Sequence, residues 1–392
     1  MPPSDPFFAL PSNSEWNACI GRQGDEENYA DGYIEAAIEL ATSVIEKEMY
    51  EKRDTLVLPI LYNARHSIEL NLKLVIGELV KFSVLENAHP KNHDIASHLT
   101  FLETNDIPDK LFNERLSALK PFVDSLAQID NDGQEFRFHE NREGQRSMDG
   151  RALANIETIR TSLASLHTVL NDLKFRAFSL CDEWQTGTRT TKLSRLDLIE
   201  ITKLLPPKQS WDSQEFVESS IAIKSRFCLM NRQFSKALNK IQESRGLAGL
   251  IGIESDLIYL SDQKAEFLLQ QWDKLHPPRD QSDSAALDYF AERDWEAIAG
   301  RRATEAEVIT DIMATLSEDE FADAETIFYL ARDRRFPESY EHQLELKKAA
   351  FAARQDFRQV VHDLMSKINF RRCFVDGLRV VGRLALSDQV GR

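Results

Sequence analysis

The sequence predicts an all-α protein with an N-terminal helical bundle and a second, C-terminal helical domain. Apolar residues recur at intervals of three and four along most of the chain, which is the periodicity of helices that bury one face. Only residues 135–139 alternate apolar and polar side chains as a strand does, so parallel-sheet folds with nucleotide-binding crevices are disfavoured. A chain of 392 residues accommodates two domains.

The first half of the chain predicts an irregular segment over residues 1–27 and a helical bundle over residues 28–183. Proline is tolerated in a first helical turn, so Pro59 marks the start of the second helix. The 135–139 segment and a polar loop through Gly150 precede the last helix of the bundle. The predicted helices cover about residues 29–49, 59–85, 93–102, 109–128 and 151–182.

The sequence predicts a linker over residues 184–212, with a short helix that starts at Ser194. Gly187 and neighbouring threonines precede this helix, and the pair Pro206-Pro207 follows it. Residues 213–392 form the predicted C-terminal all-α domain, which begins with a long helix over 213–246.

Helix starts are well marked in the rest of this domain. A second linker is predicted over 279–284. Thr304 with Glu307 and Ser317 with Glu320 match the capping box, in which a side chain at each end of the first turn bonds the other's backbone.

Composition narrows the class of protein. The formal net charge of −16 argues against a general nucleic-acid-coating protein but leaves a local basic site open. The four cysteines are far apart and include no CxxC pair, which argues against a structural zinc site. The start Met1-Pro2-Pro3-Ser4-Asp5 lacks the features of a signal peptide, and no apolar stretch of about 18 residues occurs. We therefore expect a cytoplasmic protein that uses no metal or cofactor and contacts no membrane.

Residues 58–73 contain the pattern Arg-His-x-x-Glu-Leu-x-x-Lys after an apolar turn, and the pair Ala36-Ala37 lies on the preceding helix. His93-Asp94, then Phe136-Arg137-Phe138, a polar loop with Gly144 and a closing amphipathic helix follow in order. This order, over about residues 28–180, resembles HEPN-type helical domains. The resemblance implies a bundle of four or five helices that often dimerises and that acts in prokaryotic toxin–antitoxin, phage-defence or stress systems.

Active members of that family are metal-independent endoribonucleases with an Arg, four to six further residues and then a His. Two pairs have this spacing, Arg160…His167 and Arg335…His342. Composition alone gives about two such pairs, and Thr161 and Phe336 stand where active members carry a polar Asn, Asp or His. Arg160 and His167 are the candidate catalytic pair, since Arg binds phosphate bidentately and His moves protons. Whether the chain is an enzyme stays open.

Arg65, Glu69 and Lys73 form an i, i+4, i+8 row that is flanked by His66, and His93 and Asp94 are candidates to join it. This set is either a polar cluster that stabilises the bundle or the wall of a ligand site. A metal site at His89, His93 and His98 is disfavoured, because Pro90 and a loop separate the first two. In residues 246–252, three glycines spaced three apart favour close helix packing over a phosphate loop.

The C-terminal segment from Lys347 to Arg392 has ten basic residues and four aspartates. Its arginines Arg371, Arg372, Arg379 and Arg383 are a candidate basic surface that docks nucleic acid or an acidic partner. The alternative is a solvated helix face that balances acidic neighbours.

Three hypotheses about function follow. The first is a HEPN-like protein of a prokaryotic conflict, phage-defence or stress system that dimerises and binds RNA, a nucleotide or a protein partner through its C-terminal domain. The second is a metal-independent RNase toxin that uses Arg160 and His167. The third is a non-catalytic small-molecule sensor or scaffold.

Overall fold

The computed structural model describes residues 24–140, 144–148, 153–277, 295–353 and 356–391, together with positions 5, 7, 8, 10 and 15–21. These residues form α-helices and no strand, which confirms the all-α class. The chain divides into two compact units, unit 1 over Met1–Gln185 and unit 2 over Thr186–Arg392. The predicted linker over 279–284 lies outside the described residues.

The described residues of unit 1 form a bundle of five α-helices. Helices α1, α2 and α5 pack against each other, α4 packs on α5, and α3 closes against α2 and α4. Their buried faces form one hydrophobic core, which contains Ile34, Leu72, Leu119 and Leu166. The helices are α1 Glu26–Glu46, α2 Arg53–Lys81, α3 Ile95–Thr104, α4 Lys110–Asp130 and α5 Ile156–Gln185.

Two details of unit 1 correct the sequence predictions. Helix α2 begins at Arg53, so Pro59 lies in its second turn and not at its start. Proline has no N–H to donate to the carbonyl of Thr55, and both residues are exposed at the surface. The described residues of the 135–139 segment form turns instead of a strand. The side chain of Asp130 accepts hydrogen bonds from the backbone N–H groups of residues 134, 135 and 136, so those donors are not free to pair in a sheet.

Buried ion pairs connect the helices of unit 1. Arg176 on α5 bonds both Asp109, which caps α4, and Glu183 at distances of 2.6–3.0 Å. Burial alone would lower the pKa of Arg176, but these two carboxylates raise it above its ordinary value. The fully buried Lys174 reaches Asp31 on α1 at 2.6 Å. These pairs fix the relative positions of α1, α4 and α5.

Unit 2 contains two hydrophobic cores, one among α6–α9 and one among the later helices. Leu198 and Ile201 on α6, in the segment assigned to a linker, belong to the first of these cores. The helices are α6 Arg195–Leu204, α7 Gln214–Arg226, α8 Asn231–Glu243, α9 Arg245–Leu250, α10 Asp262–Leu275, α11 Trp295–Thr315, α12 Glu318–Arg332, α13 Tyr340–Ala353, α14 Phe357–Met365, α15 Phe370–Val380 and α16 Leu384–Val390.

The long helix predicted over 213–246 is interrupted. Helix α7 ends at Arg226 and α8 starts at Asn231, with Cys228 between them in the left-handed region at φ 52°. This short connection lets Phe234 on α8 reach the core that Ile223 on α7 also enters. Two separate helices therefore replace the single predicted one.

The glycine run of 246–252 serves packing, as predicted. An added Cβ at Gly249 would lie 2.6 Å from the carbonyl oxygen of Gly382, and one at Gly246 would lie 2.7 Å from the ring of Pro337. No side chain fits at either position, so α9 approaches its neighbours by backbone contact.

Candidate functional site

The Arg65 side chain of α2 is buried, with 1% exposure, and holds three parts of unit 1 together. Its Nε donates to the carbonyl of Asp130 at 3.2 Å and its Nη2 to the carbonyl of Asn131 at 2.7 Å. Nη2 also donates to the carbonyl of His93, and Nη1 donates to the Glu69 carboxylate. Because the last carbonyls of a helix lack helical partners and carry partial negative charge, a buried arginine at the end of α4 is favourable there.

Glu69 is the negative centre of this cluster. Lys73 Nζ lies 2.5 Å and His93 Nδ1 lies 2.8 Å from its Oε1. Burial alone would raise the pKa of Glu69, but hydrogen bonds from His66, Lys73, Arg65 and His93 hold it well below the ordinary value. Glu69 is therefore ionised across the physiological pH range and cannot serve as a proton donor.

The turn after α4 explains why Arg65 fits. Gly133 has φ 81°, a conformation that favours glycine, and an added Cβ would lie 3.2 Å from Arg65 Nη1. The carbonyl of Asn131 also accepts the N–H of Ile95 at 3.2 Å, while Asp94 caps α3 by accepting the N–H of Ser97. Asp94 is thus a helix cap, and Arg65 is a tie between α2, the start of α3 and the end of α4.

The exposed part of the predicted cluster consists of other side chains. Lys73 is 37% exposed and His93 is 72% exposed, so their outer faces reach solvent beside the buried pair of Arg65 and Glu69. His66 lies 3.7 Å from Glu69 and is partly exposed. The structure therefore brings five of the six predicted residues together, divided into a buried tie and a surface rim, whereas the sixth, Asp94, caps α3.

Aromatic rings extend this rim. The His66 ring stacks on Tyr62, with centroids 5.6 Å apart, and meets the edge of Tyr33 at 4.4 Å. The guanidinium of Arg137 lies 5.6 Å from the Tyr62 ring and 5.2 Å from the Phe138 ring. We call these five side chains the aromatic–arginine surface.

Arg137 is the distinctive cation of the aromatic–arginine surface. It is exposed, and its guanidinium makes no hydrogen bond or ion pair with any residue that the structure describes. Phe138 beside it is 48% exposed. An exposed cation beside an exposed ring presents both a charge for phosphate and a face on which a base stacks.

The sequence carries a partial signal for this surface. Tyr62 and His66 are one helical turn apart, so their rings share a face. Arg137 and Phe138 enter only through the turn that Asp130 organises, and that contact between distant parts of the chain is not readable from local spacing. The sequence predictions did not include these two residues in the site.

His89 and His98 form a separate pair. Their rings meet at 4.6 Å, and His98 is 2% exposed with no hydrogen-bond partner for its Nε2 among the described atoms. Burial, the neighbouring His89 and Lys73 lower the pKa of His98 to about 4. His93 points instead to Glu69. Within the described residues, no group of His, Cys, Asp or Glu side chains is arranged to hold a metal ion.

Arg160 and His167 lie on the same helix, α5, and both are half-buried. Seven residues of helix separate them by about 10 Å along the axis. Neither side chain has a hydrogen-bond or ion-pair partner among the described residues. The two side chains share one face of α5, and no described residue links them.

Acidic groups largely neutralise the predicted basic C-terminal surface. Arg371 pairs with Asp273 at 3.0 Å and Arg379 with Asp388 at 2.9 Å. Arg383 is mostly buried and faces several carboxylates, among them Asp256, Asp262 and Glu254. Arg372 is exposed and has no acidic partner in the described part of the chain.

No protein-family model, no curated protein and no solved structure matches this chain. Among the described residues, no helix is both long and apolar enough to cross a membrane.

Proposed function

We propose that this chain is a non-catalytic, HEPN-like helical protein that binds single-stranded RNA in a prokaryotic conflict, phage-defence or stress system. The observation that carries the proposal is the exposed guanidinium of Arg137, which contacts the Tyr62 and Phe138 rings and has no acidic partner among the described residues. The resemblance to HEPN-type domains supports both the setting and a dimeric state.

The physical basis is stacking together with local charge. Stacking of a base on an aromatic side chain is worth about 1–3 kcal/mol and tolerates any base. Arg137 carries a positive charge without an acidic partner among the described residues, whereas Arg65 and Lys73 are paired with Glu69. Arg137 therefore gives the aromatic–arginine surface an unpaired positive charge in a chain of formal charge −16, and that charge attracts a phosphate backbone.

The non-catalytic assignment has two supports. Arg65 and Glu69 are occupied in structural hydrogen bonds, and Glu69 has no proton to give. Arg160 and His167 are about 10 Å apart along the axis of α5, and no described group orients His167 as a general acid or base.

The test is fluorescence anisotropy with a labelled oligouridylate and the full chain. Arg137→Ala and Phe138→Ala are each expected to weaken binding about tenfold or more, as the loss of one stacked base implies. Arg53→Ala is the matched control, because Arg53 is also exposed and lies 5.6 Å from a single ring, that of Tyr50. The proposal is refuted if neither variant binds more weakly than this control.

Two further results separate the alternatives. Displacement of the RNA by a mononucleotide at a similar affinity would favour the sensor hypothesis. Cleavage of the oligonucleotide that disappears in both Arg160→Ala and His167→Ala would replace the proposal with the RNase. Light scattering of the purified chain tests the dimer, and a monomer at tens of micromolar would contradict that part.

A further inference from the structure

Helix α8 in unit 2 carries a row of cations on its outer face. Arg232, Lys236 and Lys240 are four residues apart, so each lies about 6 Å along the helix axis from the next. Phe234 and Ile241 on the opposite face are buried in the core of α6–α9. The row is therefore fixed in direction by packing of the helix that carries it.

The cations of this row are poorly neutralised. Arg232 and Lys236 are exposed and have no ion-pair or hydrogen-bond partner in the described part of the chain. Lys240 has Glu243 at 3.7 Å, which is a weak contact at the end of the helix. Like charges one turn apart repel by about 0.2–0.5 kcal/mol per pair, so the row costs stability, and the Lys240–Glu243 pair offsets that cost only at one end.

The contrast with the C-terminal arginines is informative. Arg371 and Arg379 also lie in a segment rich in basic residues, yet each of them contacts an aspartate at 3.0 Å or less. A chain of formal charge −16 has ample acidic groups with which to neutralise a helix face, and it leaves Arg232 and Lys236 on α8 without one among the described residues.

We propose that the α8 row binds the sugar–phosphate backbone of single-stranded RNA, with its three cations on up to three phosphates. An anionic membrane is disfavoured, because the apolar residues Phe234, Ala237 and Ile241 are buried and do not project beside the cations. A polyanion with regularly spaced charges fits a regularly spaced row. The exposed amide of Asn239 lies between the cations and supplies further hydrogen-bond donors.

The choice of RNA as the polyanion rests on the proposed function, but the residues are different and lie in the other unit. RNA binding at the two sites should also depend differently on salt concentration. Phosphate contacts release counterions, so for a single strand each one steepens the dependence of log K on log salt by about 0.7. Stacking on the aromatic–arginine surface contributes affinity that salt changes little.

The experiment measures oligouridylate binding to the full chain over a series of KCl concentrations. The triple variant R232Q/K236Q/K240Q is expected to reduce the salt slope by up to about 2, and glutamine keeps the helix propensity high. The matched control R371Q/R372Q/R379Q also removes three cations, two of which are paired with aspartates. It should change the slope by less than about 1.

The outcomes distinguish this inference from the proposed function. Equal slopes for the two triple variants would overturn the role of α8, even if Arg137→Ala still weakens binding. A reduced slope in the α8 variant with no effect of Arg137→Ala would keep this inference and overturn the proposed function. Displacement of RNA by poly-glutamate at equal charge concentration would overturn the assignment to RNA in favour of an acidic protein segment.

Discussion

Replacing Arg65 with methionine tests whether the buried cluster is a structural tie. The change keeps most of the side-chain volume but removes four hydrogen bonds, one to the Glu69 carboxylate and three to the backbone carbonyls of His93, Asp130 and Asn131. Removing one partner of a buried ion pair costs about 3–5 kcal/mol, because the other charge stays buried without compensation. Glu69 keeps Lys73 and His93, so we expect about 3 kcal/mol.

Hydrogen exchange read by mass spectrometry gives the local measurement. The N–H groups of Gln134, Glu135 and Phe136 bond to Asp130, and that of Ile95 bonds to Asn131, so all four report on the turn that Arg65 holds. A loss of about 3 kcal/mol corresponds to exchange about a hundredfold faster.

Lys73→Met is the matched control for this prediction. It also removes a cation from Glu69, but Lys73 is 37% exposed and reaches no backbone carbonyl. Exposed pairs contribute about 0–1 kcal/mol, so exchange at the turn should change less than tenfold. If Arg65→Met accelerates exchange no more than Lys73→Met does, Arg65 does not hold the turn to α2, and the alternative that it contacts a ligand is favoured.

Three further predictions concern single positions. Gly133→Ala should destabilise unit 1 by about 1–2 kcal/mol in urea unfolding, because its φ of 81° is left-handed and the new Cβ would lie 3.2 Å from Arg65 Nη1; an unchanged midpoint would contradict this. Burial lowers the pKa of His98 to about 4 in the folded state, whereas the unfolded state keeps the ordinary value of about 6.5. As pH falls from 6.5 to 4, the unfolded state therefore binds a proton at His98 that the folded state does not bind, and the free energy of unfolding should drop by up to about 3 kcal/mol. His98→Phe should remove that part of the decline, and an identical pH profile would refute the assignment. Gly377→Ala should lower the melting temperature of unit 2 sharply, since the added Cβ would lie 2.1 Å from a backbone oxygen of α12. Gly300→Ala is the control, because its Cβ would meet no atom within 4 Å and the melting temperature should not fall. Equal melting temperatures of the two variants would contradict the packing argument.

Local signals predicted much of the fold. The capping box of Ser317 and Glu320 starts α12 as expected. The box of Thr304 and Glu307 is wrong, because Thr304 lies inside α11 and donates to the carbonyl of Gly300. The same side chains that cap a helix are accommodated within one, so a match of two residues cannot separate a start from an interior turn.

The site was readable only in part, for a physical reason. Contacts between Glu69 and both Arg65 and Lys73 follow from a spacing of four on one helix, and the structure contains them. The hydrogen bonds from Arg65 to Asp130 and Asn131 span more than 60 residues of sequence and depend on how α4 ends. No periodicity encodes that distance, so burial of Arg65 became evident only with the fold.

The pairing of charged residues also depends on contacts between distant parts of the chain, which the sequence does not show. In the sequence, Arg383 and Arg232 are each one basic residue near others: residues 347–392 contain ten basic and four acidic residues, and residues 224–245 contain six basic residues and one acidic residue. In the structure Arg383 is mostly buried against carboxylates, while Arg232 is exposed without an acidic partner among the described residues. An arginine whose charge is already balanced gains little from a phosphate, because binding must first separate the existing pair. The capacity to bind a polyanion therefore depends on which cations remain unpaired after folding, and α8 satisfies that condition better than the basic segment at the C-terminus.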